Sequence, residues 1–120
     1  MSTYVINKNN VITINRGDTV RMPLEIYTSR FMPRKKLEID QDDIIFFGLM
    51  LPHQHFECAF LKKEFYINDF NSEGDLVLSL DPLDTMNLTS GVYYYELKLL
   101  KHSDDSITTL IPKTLFNIVD

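Results

Sequence analysis

The chain has 120 residues, of which 44% are hydrophobic, and we expect residues 1–120 to form one domain around one core. Its formal net charge of −5 argues against DNA or RNA as a general partner. The single cysteine, Cys58, excludes an intramolecular disulfide and suits a reducing cytoplasm. We expect no signal peptide and no membrane contact, because the N-terminus lacks a basic start and residues 44–52, the longest apolar stretch, are too few to span a bilayer.

Residues 1–9 form a candidate N-terminal arm. The arm contains three β-prone residues in succession, Tyr4, Val5 and Ile6. Because edge strands of all-β proteins accept added strands, we hypothesise that this arm pairs with the sheet of a neighbouring chain.

Two strands joined by a turn follow the arm. Residues 11–14 alternate between apolar and polar side chains, and the turn after them contains Gly17, which adopts positive φ without steric cost. Residues 19–28 alternate as well, which predicts a half-buried strand. Pro23 has no amide proton, so one edge of that strand is expected to be open or bulged.

The next two segments are loops of opposite charge. The basic loop, residues 29–36, contains four cations, which are Arg30, Arg34, Lys35 and Lys36. Residues 37–43 contain four carboxylates. The pair is either two solvated loops or the two halves of a head-to-tail contact between copies.

A central strand and two weaker strands are predicted in the middle of the chain. Residues 44–51 are apolar throughout and predict a strand that is buried on both faces. Residues 56–61 predict a further strand in which Cys58 is a small buried side chain. Residues 64–70 predict a short edge strand.

Candidate catalytic and metal-binding residues in this region do not form a recognisable motif. His53 and His55 supply two imidazoles, but nothing at ligand spacing supplies the rest of a zinc site. Cys58 near His55 could suggest a thiol nucleophile, but such a site needs a depressed thiol pKa and an orienting third group. No Gly-x-Ser-x-Gly motif and no glycine-rich phosphate loop occurs. We therefore expect no enzyme activity, no metal and no cofactor.

The last fifty residues predict three strands and a tight hairpin. Residues 76–80 alternate, Asp81 and Asp84 cap the turn after them, and Gly91 opens a strand that runs to residue 101. The chain returns from residue 107 and is kinked at Pro112. Seven or eight strands without crossover helices predict an all-β fold, namely an antiparallel immunoglobulin-like β-sandwich, with a small closed barrel as the alternative.

The tyrosine run in the penultimate strand divides between two faces. Tyr93 follows Leu-Thr-Ser-Gly-Val and is expected to be a tyrosine corner, with its hydroxyl bonded to backbone a few residues upstream. Alternation places Tyr95 deeper in the core and Tyr94 outside. Tyr94 and Tyr27 are a modest sugar-stacking platform or, equally, protein-binding anchors.

These turn and core motifs together resemble those of a known family. The motifs are VITINRGDT at residues 11–19, GDLVLSL at 74–80, DPLDT at 81–85 and LTSGVYYYEL at 88–97, with SITTL at 106–110 and FNI at 116–118. The set, which spans nearly the whole chain, resembles small immunoglobulin-like structural proteins of tailed bacteriophages and prophages, among them the N-terminal domain of baseplate upper proteins.

The resemblance implies a virion component that is assembled in the bacterial cytoplasm and acts through protein–protein contacts. Its implied partners are other virion proteins, in a homo-oligomer or a multi-copy assembly of the head, neck, tail or baseplate. The family offers no catalytic residues. The baseplate relatives continue into a helical or fibre region, whereas this chain ends at Asp120, so an adaptor or decoration is expected. A carbohydrate-binding or host-attachment module is the alternative.

Overall fold

The structure is a computed structural model, which describes residues 5–6, 10–27 and 35–120. Eight strands and one helical turn are found in these residues. The strands are β1 (Val5–Ile6), β2 (Ile12–Asn15), β3 (Val20–Leu24), β4 (Ile44–Met50), β5 (Leu61–Phe65), β6 (Leu76–Leu80), β7 (Gly91–Lys101) and β8 (Ser106–Val119). The helical turn is α1 (Pro82–Thr85), and two 3₁₀ turns cover Phe56–Cys58 and Ile67–Asp69.

The fold is mostly β, with a curled mixed sheet and a second small sheet. The larger sheet has the order β1-β2-β8-β7-β4-β5, and β3 pairs with β6 in the smaller one. The prediction of purely antiparallel pairing is wrong, because β2 and β8 are parallel, with Ile12 beside Phe116. These two strands are separated by most of the chain, so no short turn forces them to be antiparallel.

The two sheets share one hydrophobic core. Alternation within β6 buries Leu76, Leu78 and Leu80, and the same period holds in β3 and β7. Three aromatic rings form the centre of the core: Phe47 lies 5.8 Å from Tyr95 and 6.2 Å from Phe116, measured between ring centroids. Such offset and edge-on contacts stabilise aromatic pairs beyond the area that they bury.

Proline positions agree with the predicted edges and kinks. Pro23 lies in β3, whose one partner among the described strands is β6, so β3 has the open edge that the proline predicts. Opposite Pro112 the pairing of β7 with β8 shifts on either side of Leu97. At the predicted kink, the strand register of the β7–β8 hairpin is therefore shifted twice.

The segment between β4 and β5 differs from its prediction. Residues 56–58 form a 3₁₀ turn instead of a strand, and β5 begins only at Leu61 and ends at Phe65. Cys58 is exposed, so the expectation that it is a buried side chain is wrong. The alternation of Phe56, Cys58 and Phe60 predicts a strand with these three side chains on one face. In the structure Phe56 packs against Gly48, while Cys58 faces solvent.

The described part of the N-terminal arm pairs within its own chain. Val5 lies opposite Thr13 and Ile6 opposite Ile12, so β1 is an edge strand added to β2. The hypothesis that the arm adds to a neighbouring sheet stays a prediction, since Tyr4 and the rest of the arm lie outside the described residues. No helix in the described residues is long and apolar enough to cross a bilayer.

Candidate protein interaction surface

One end of the domain collects the connections that follow β2, β4, β6 and β8. We call it the α1 end, and it consists of the turn 15–18, the segments 51–60 and 81–90, and residues 119–120 together with the adjoining strand termini. The sheet register brings these parts together, because Gly91 at the start of β7 lies beside Ile118. Ile118 in turn lies beside Ile14 at the end of β2.

Exposed apolar side chains concentrate at this end. Ten large hydrophobic side chains of the described chain are exposed, and six of them belong to the α1 end. The six are Leu51, Phe60, Leu83, Met86, Val92 and Val119. Leu83 is 76% exposed and Val92 53%, so neither side chain contributes to the core.

Val92 and Val119 share a shallow groove on the outer face of the larger sheet. The groove has a volume of ≈ 490 Å³ and is also lined by Thr13, Ser90 and Asn117. Val92 is opposite Asn117 in the register, and Val119 is opposite Asn15. The groove therefore exposes two of the six apolar side chains on the strands, next to Ser90 of segment 81–90.

Charge is distributed unevenly between the α1 end and the rest of the chain. Charged residues in the α1 end, or in contact with it, comprise six bases and five acids. The bases are Arg16, Arg21, Lys62, Lys63, Lys98 and Lys113, and the acids are Asp18, Glu57, Asp81, Asp84 and Asp120. The rest of the described chain has only three bases, Lys35, Lys36 and Lys101.

The acids in that remaining part outnumber its bases four to one. They are Glu25, Glu38, Asp40, Asp42, Asp43, Glu64, Asp69, Glu73, Asp75, Glu96, Asp104 and Asp105. Among the described residues, which do not include Lys8, Arg30 and Arg34, the α1 end is thus close to electrically neutral and the remainder is acidic.

Hydrogen bonds from the turn 15–18 fix the helical turn α1. Gly17 has a φ of +80°, which favours glycine, and its amide donates to the hydroxyl of the fully buried Thr85 at 2.9 Å. Asp81 precedes α1, and its amide donates to the Asp84 carboxylate at 2.8 Å, in agreement with the predicted capping. The exposed side chain of Leu83 is therefore presented on a well-supported turn.

Ion pairs neutralise much of the charge at this end. Arg16 contacts Asp120 at 2.7 Å, and Arg21 contacts Asp81 at 3.1 Å. Lys63 of β5 reaches Asp84 at 2.8 Å, and both of these side chains are largely shielded from solvent. This last pair joins the edge of the larger sheet to α1.

Three lysines hold segment 51–60 against the larger sheet. Lys113 donates to the carbonyls of Pro52 and Gln54, the latter at 2.8 Å. Lys62 donates to the carbonyl of Glu57, and Lys98 lies 5.1 Å from the centre of the Phe56 ring. A Cβ on Gly48 would lie 2.7 Å from that ring, so glycine is required for this close approach.

The predicted tyrosine corner is confirmed as a hydrogen bond. The hydroxyl of Tyr93 donates to the carbonyl of Thr89 at 2.6 Å, four residues upstream. The exposed ring of Phe60 meets the Tyr93 ring edge-on, at 5.7 Å and 64°. Tyr95 lies deeper than Tyr93, with 0% against 6% of its surface exposed. Gly91, also predicted as structural, has a φ of +154°.

The interaction residues predicted from sequence do not form one site. Tyr27 is exposed, and its hydroxyl donates to Glu25, whereas Tyr94 is half-buried beneath Lys113. Tyr27 lines a crevice together with Lys101. Lys101 is seven residues from Tyr94 along β7, a distance of about 23 Å. The two rings are thus not a shared platform.

The basic loop is only partly described. Arg30 and Arg34 lie outside the described residues, and Lys35 is exposed. Lys36 contacts Asp75 of its own chain at 2.8 Å, and this hydrogen bond raises the pKa of the Lys36 ammonium. Head-to-tail contact through this loop stays a prediction, although one of its cations already has a carboxylate partner.

Sequence reasoning missed the surface at the α1 end. Leu83 and Met86 lie among turn residues, and Val92 and Val119 lie near strand ends. At such positions an apolar residue does not by itself indicate whether its side chain is buried or exposed. The residues considered for chemistry lie in segment 51–60 of the same end: His53 and His55 are exposed beside a turn, near the exposed Cys58. Groups of three or more metal-ligating side chains are not found within the described ranges.

Comparison of the chain with protein-family models, with curated proteins and with solved structures found no match. Functional inference therefore depends on the surface described above and on the resemblance of the sequence motifs.

Proposed function

We propose that this chain is an immunoglobulin-like structural protein of a tailed-phage virion that assembles through protein contacts at its α1 end. The observation that carries this proposal is the set of six exposed apolar side chains at that end. Exposed apolar side chains that gather at one end of a domain are typical of interaction sites, since their burial in a contact is favourable.

Two features support the finer assignment to the immunoglobulin-like class. The strand order β2-β8-β7-β4-β5 opposite β3-β6 is compatible with a two-sheet sandwich. The hydrogen bond from Tyr93 to the Thr89 carbonyl is typical of the tyrosine corner in such sandwiches. The phage assignment rests on the motif resemblance and implies a virion location after assembly in the bacterial cytoplasm.

A protein interface fits the chemistry of the α1 end. Hydrophobic anchors surrounded by polar groups are typical of the centre of an interface. Here Leu83 and Val92 are the most exposed apolar side chains, and three ion pairs within the chain account for six of the eleven charges around them. Burial of these paired charges in a contact costs less than burial of isolated charges.

The carbohydrate-binding alternative has less support. Sugar rings stack on exposed, roughly coplanar aromatic side chains. Among the ring pairs of the described residues, the pair with an exposed ring is Phe60 with Tyr93, and its planes are 64° apart.

The proposal is tested in a bacterium that carries this sequence in a prophage. After induction, particles are purified on a density gradient and their proteins are identified by mass spectrometry. We expect the wild-type chain and the Ile107→Asp variant in the particles, and Leu83→Asp to be depleted at equal expression. Ile107 is the control because it is 65% exposed, in the β7–β8 hairpin far from α1. Particles that lack the wild-type chain would refute the virion assignment.

A further inference from the structure

We infer that the free edge of β8, at residues 106–111, accepts an extended strand of another protein, and that alternate apolar side chains of this strand enter the crevice beside Tyr27. This contact is separate from the α1 end and does not depend on the proposed function. The backbone edge of β8, the residues along it and the crevice next to it support the inference.

The upstream half of β8 has a neighbouring strand on one side only. β2 pairs with β8 at residues 116–119, and among the described residues no strand, bridge or backbone hydrogen bond reaches the same edge at residues 106–111. On the opposite edge the pairing with β7 is regular over residues 106–109, a length of about 13 Å. In an antiparallel pair every second residue directs its N–H and C=O away from the partner, so backbone donors and acceptors face outward here. Such a row is a template for one further strand.

The free edge of β8 lacks the features that prevent strand addition at the other described edges. The edge strand β5 carries Lys62 and Lys63, and β3 contains Pro23, which has no amide proton. β6 has no exposed residue, and β1 is only two residues long. Residues 106–111 have the sequence Ser-Ile-Thr-Thr-Leu-Ile, without a charge or a proline, and residues 107–109 are all exposed. The free edge is therefore accessible and rich in residues that favour β pairing.

The inner face of the larger sheet is uncovered next to this edge. Thr108 lies opposite Leu99 in the register, so the two side chains point to the same face of the sheet. Leu99 is buried in the core on that face, whereas Thr108 is exposed. A strand added beside Thr108 would cover the face at this point.

A crevice of ≈ 430 Å³ lies beside the free edge and reaches the core. Leu99 and Leu110 line it from the larger sheet. Ile26 and Leu37 line it from two paired segments outside that sheet, where the Leu37 amide donates to the Ile26 carbonyl at 2.8 Å. Leu37 and Leu99 both belong to the hydrophobic core, so apolar side chains that enter the crevice would extend this core.

An extended strand is the partner that fits both features. Its backbone would pair with β8, and every second side chain would enter the crevice, since side chains alternate along a strand. A small apolar molecule would fill the crevice but would leave the backbone groups of the free edge to water. Glu38 and Lys101 also line the crevice, one charge of each sign, so we expect uncharged side chains at the positions that enter it.

The experiment is NMR spectroscopy of the isotope-labelled full chain, titrated with the end-blocked synthetic peptide Lys-Val-Thr-Val-Thr-Val-Lys. We expect chemical-shift changes centred on residues 106–110 and Leu99, with a dissociation constant below about 1 mM. Thr108→Asp places a carboxylate beside the crevice and should raise this constant by about tenfold or more. Leu83→Asp, which alters the α1 end, should bind the peptide like the wild type.

A second peptide, with the same side chains but with N-methyl groups on its central residues, is the matched control. It lacks the backbone donors of an added strand, so we expect no comparable shift changes at the free edge. Equal binding of the two peptides would mean that the crevice takes apolar side chains without strand pairing, and would overturn the inference.

Amide exchange provides an independent test. Those amides of residues 107–110 that point away from β7 should exchange quickly in the chain alone and about tenfold more slowly with saturating peptide. Protection that is already present without peptide would show that another part of the same chain occupies this edge, which contradicts the inference. Unchanged shifts at residues 106–110 with about 1 mM peptide would also contradict it. Neither result bears on the virion role, which is tested through Leu83.

Discussion

The hydroxyl of Tyr95 donates a hydrogen bond to the backbone carbonyl of Asn10, at 2.5 Å and across most of the length of the chain. Tyr95 is fully buried in the aromatic centre of the core, and Asn10, with a φ of +64°, is where the chain turns into β2. Burial raises the pKa of the Tyr95 hydroxyl, so it stays a donor over the whole physiological range. This bond attaches the start of β2 to the core.

We expect Tyr95→Phe to lower the free energy of unfolding by about 1 kcal/mol, because the Asn10 carbonyl loses its donor while the ring stays in place. Urea denaturation measures the change. Tyr94→Phe is the matched control, since Tyr94 is half-buried next to Tyr95 and its ring contact with Lys113 survives in phenylalanine. Equal unfolding midpoints for the two variants would contradict the role given to this bond.

Asp43 makes the stability of the domain sensitive to acid. Its carboxylate is 1% exposed and accepts the amides of Asp40 and His102, both at 2.9 Å. The hydrogen bond from Asp40, followed by that from His102 and the charge of Lys101, lowers the pKa of Asp43 below its ordinary 3.8. This stabilisation is present above the pKa of the unfolded carboxyl and is lost as pH falls from there through the folded value.

Asp43→Asn is therefore expected to destabilise the protein at pH 7 by about 1–3 kcal/mol, since an amide can accept only one of the two bonds through its oxygen. The variant should also lose less stability than the wild type between pH 5 and pH 3. Thermal unfolding across this range checks both statements, with the exposed Asp42→Asn as control. A wild-type acid dependence in Asp43→Asn would show that other carboxyls cause it.

Local signals predicted much of the fold from the sequence. Strict alternation identified β6 and the buried face of β3. Each of these strands has one face toward the core, and the apolar residues on that face, such as Leu78 and Met22, are buried. The corner at Tyr93 was recognisable because its hydroxyl partner, Thr89, is only four residues away. Both cases depend on residues that are close in the chain.

Non-local contacts could not be predicted in this way. The parallel pairing of Ile12 with Phe116 depends on the path of the whole chain, and no local pattern records it. Cys58 alternates with two phenylalanines, yet the approach of Phe56 to Gly48 turns the segment into a 3₁₀ turn and leaves the thiol exposed. The exposure of Leu83 is likewise decided by what surrounds α1.

The amide of Gly17 is expected to lose protection when its acceptor is removed. Thr85→Val keeps the shape of a fully buried side chain but removes the hydroxyl that accepts this amide. Exchange of the Gly17 amide, followed by NMR, should become about tenfold faster, whereas Thr85→Ser retains the acceptor and should preserve the protection. Equal exchange rates in both variants would mean that the hydroxyl does not hold the turn 15–18.

Lys113 is expected to control the order of segment 51–60 without controlling global stability. Lys113→Met keeps an unbranched apolar stem over Tyr94 but removes the donors to the carbonyls of Pro52 and Gln54. We expect faster exchange of the Gln54 amide, whose acceptor is Leu51 in the same segment, and a change in unfolding free energy below about 1 kcal/mol. Lys35→Met, at an exposed position between β3 and β4, is the control. The exposed side chains of Leu51 and Phe60 lie at the two ends of this segment, so its loosening should also weaken association through the α1 end. Unchanged exchange at Gln54 would show that Lys113 does not order the segment.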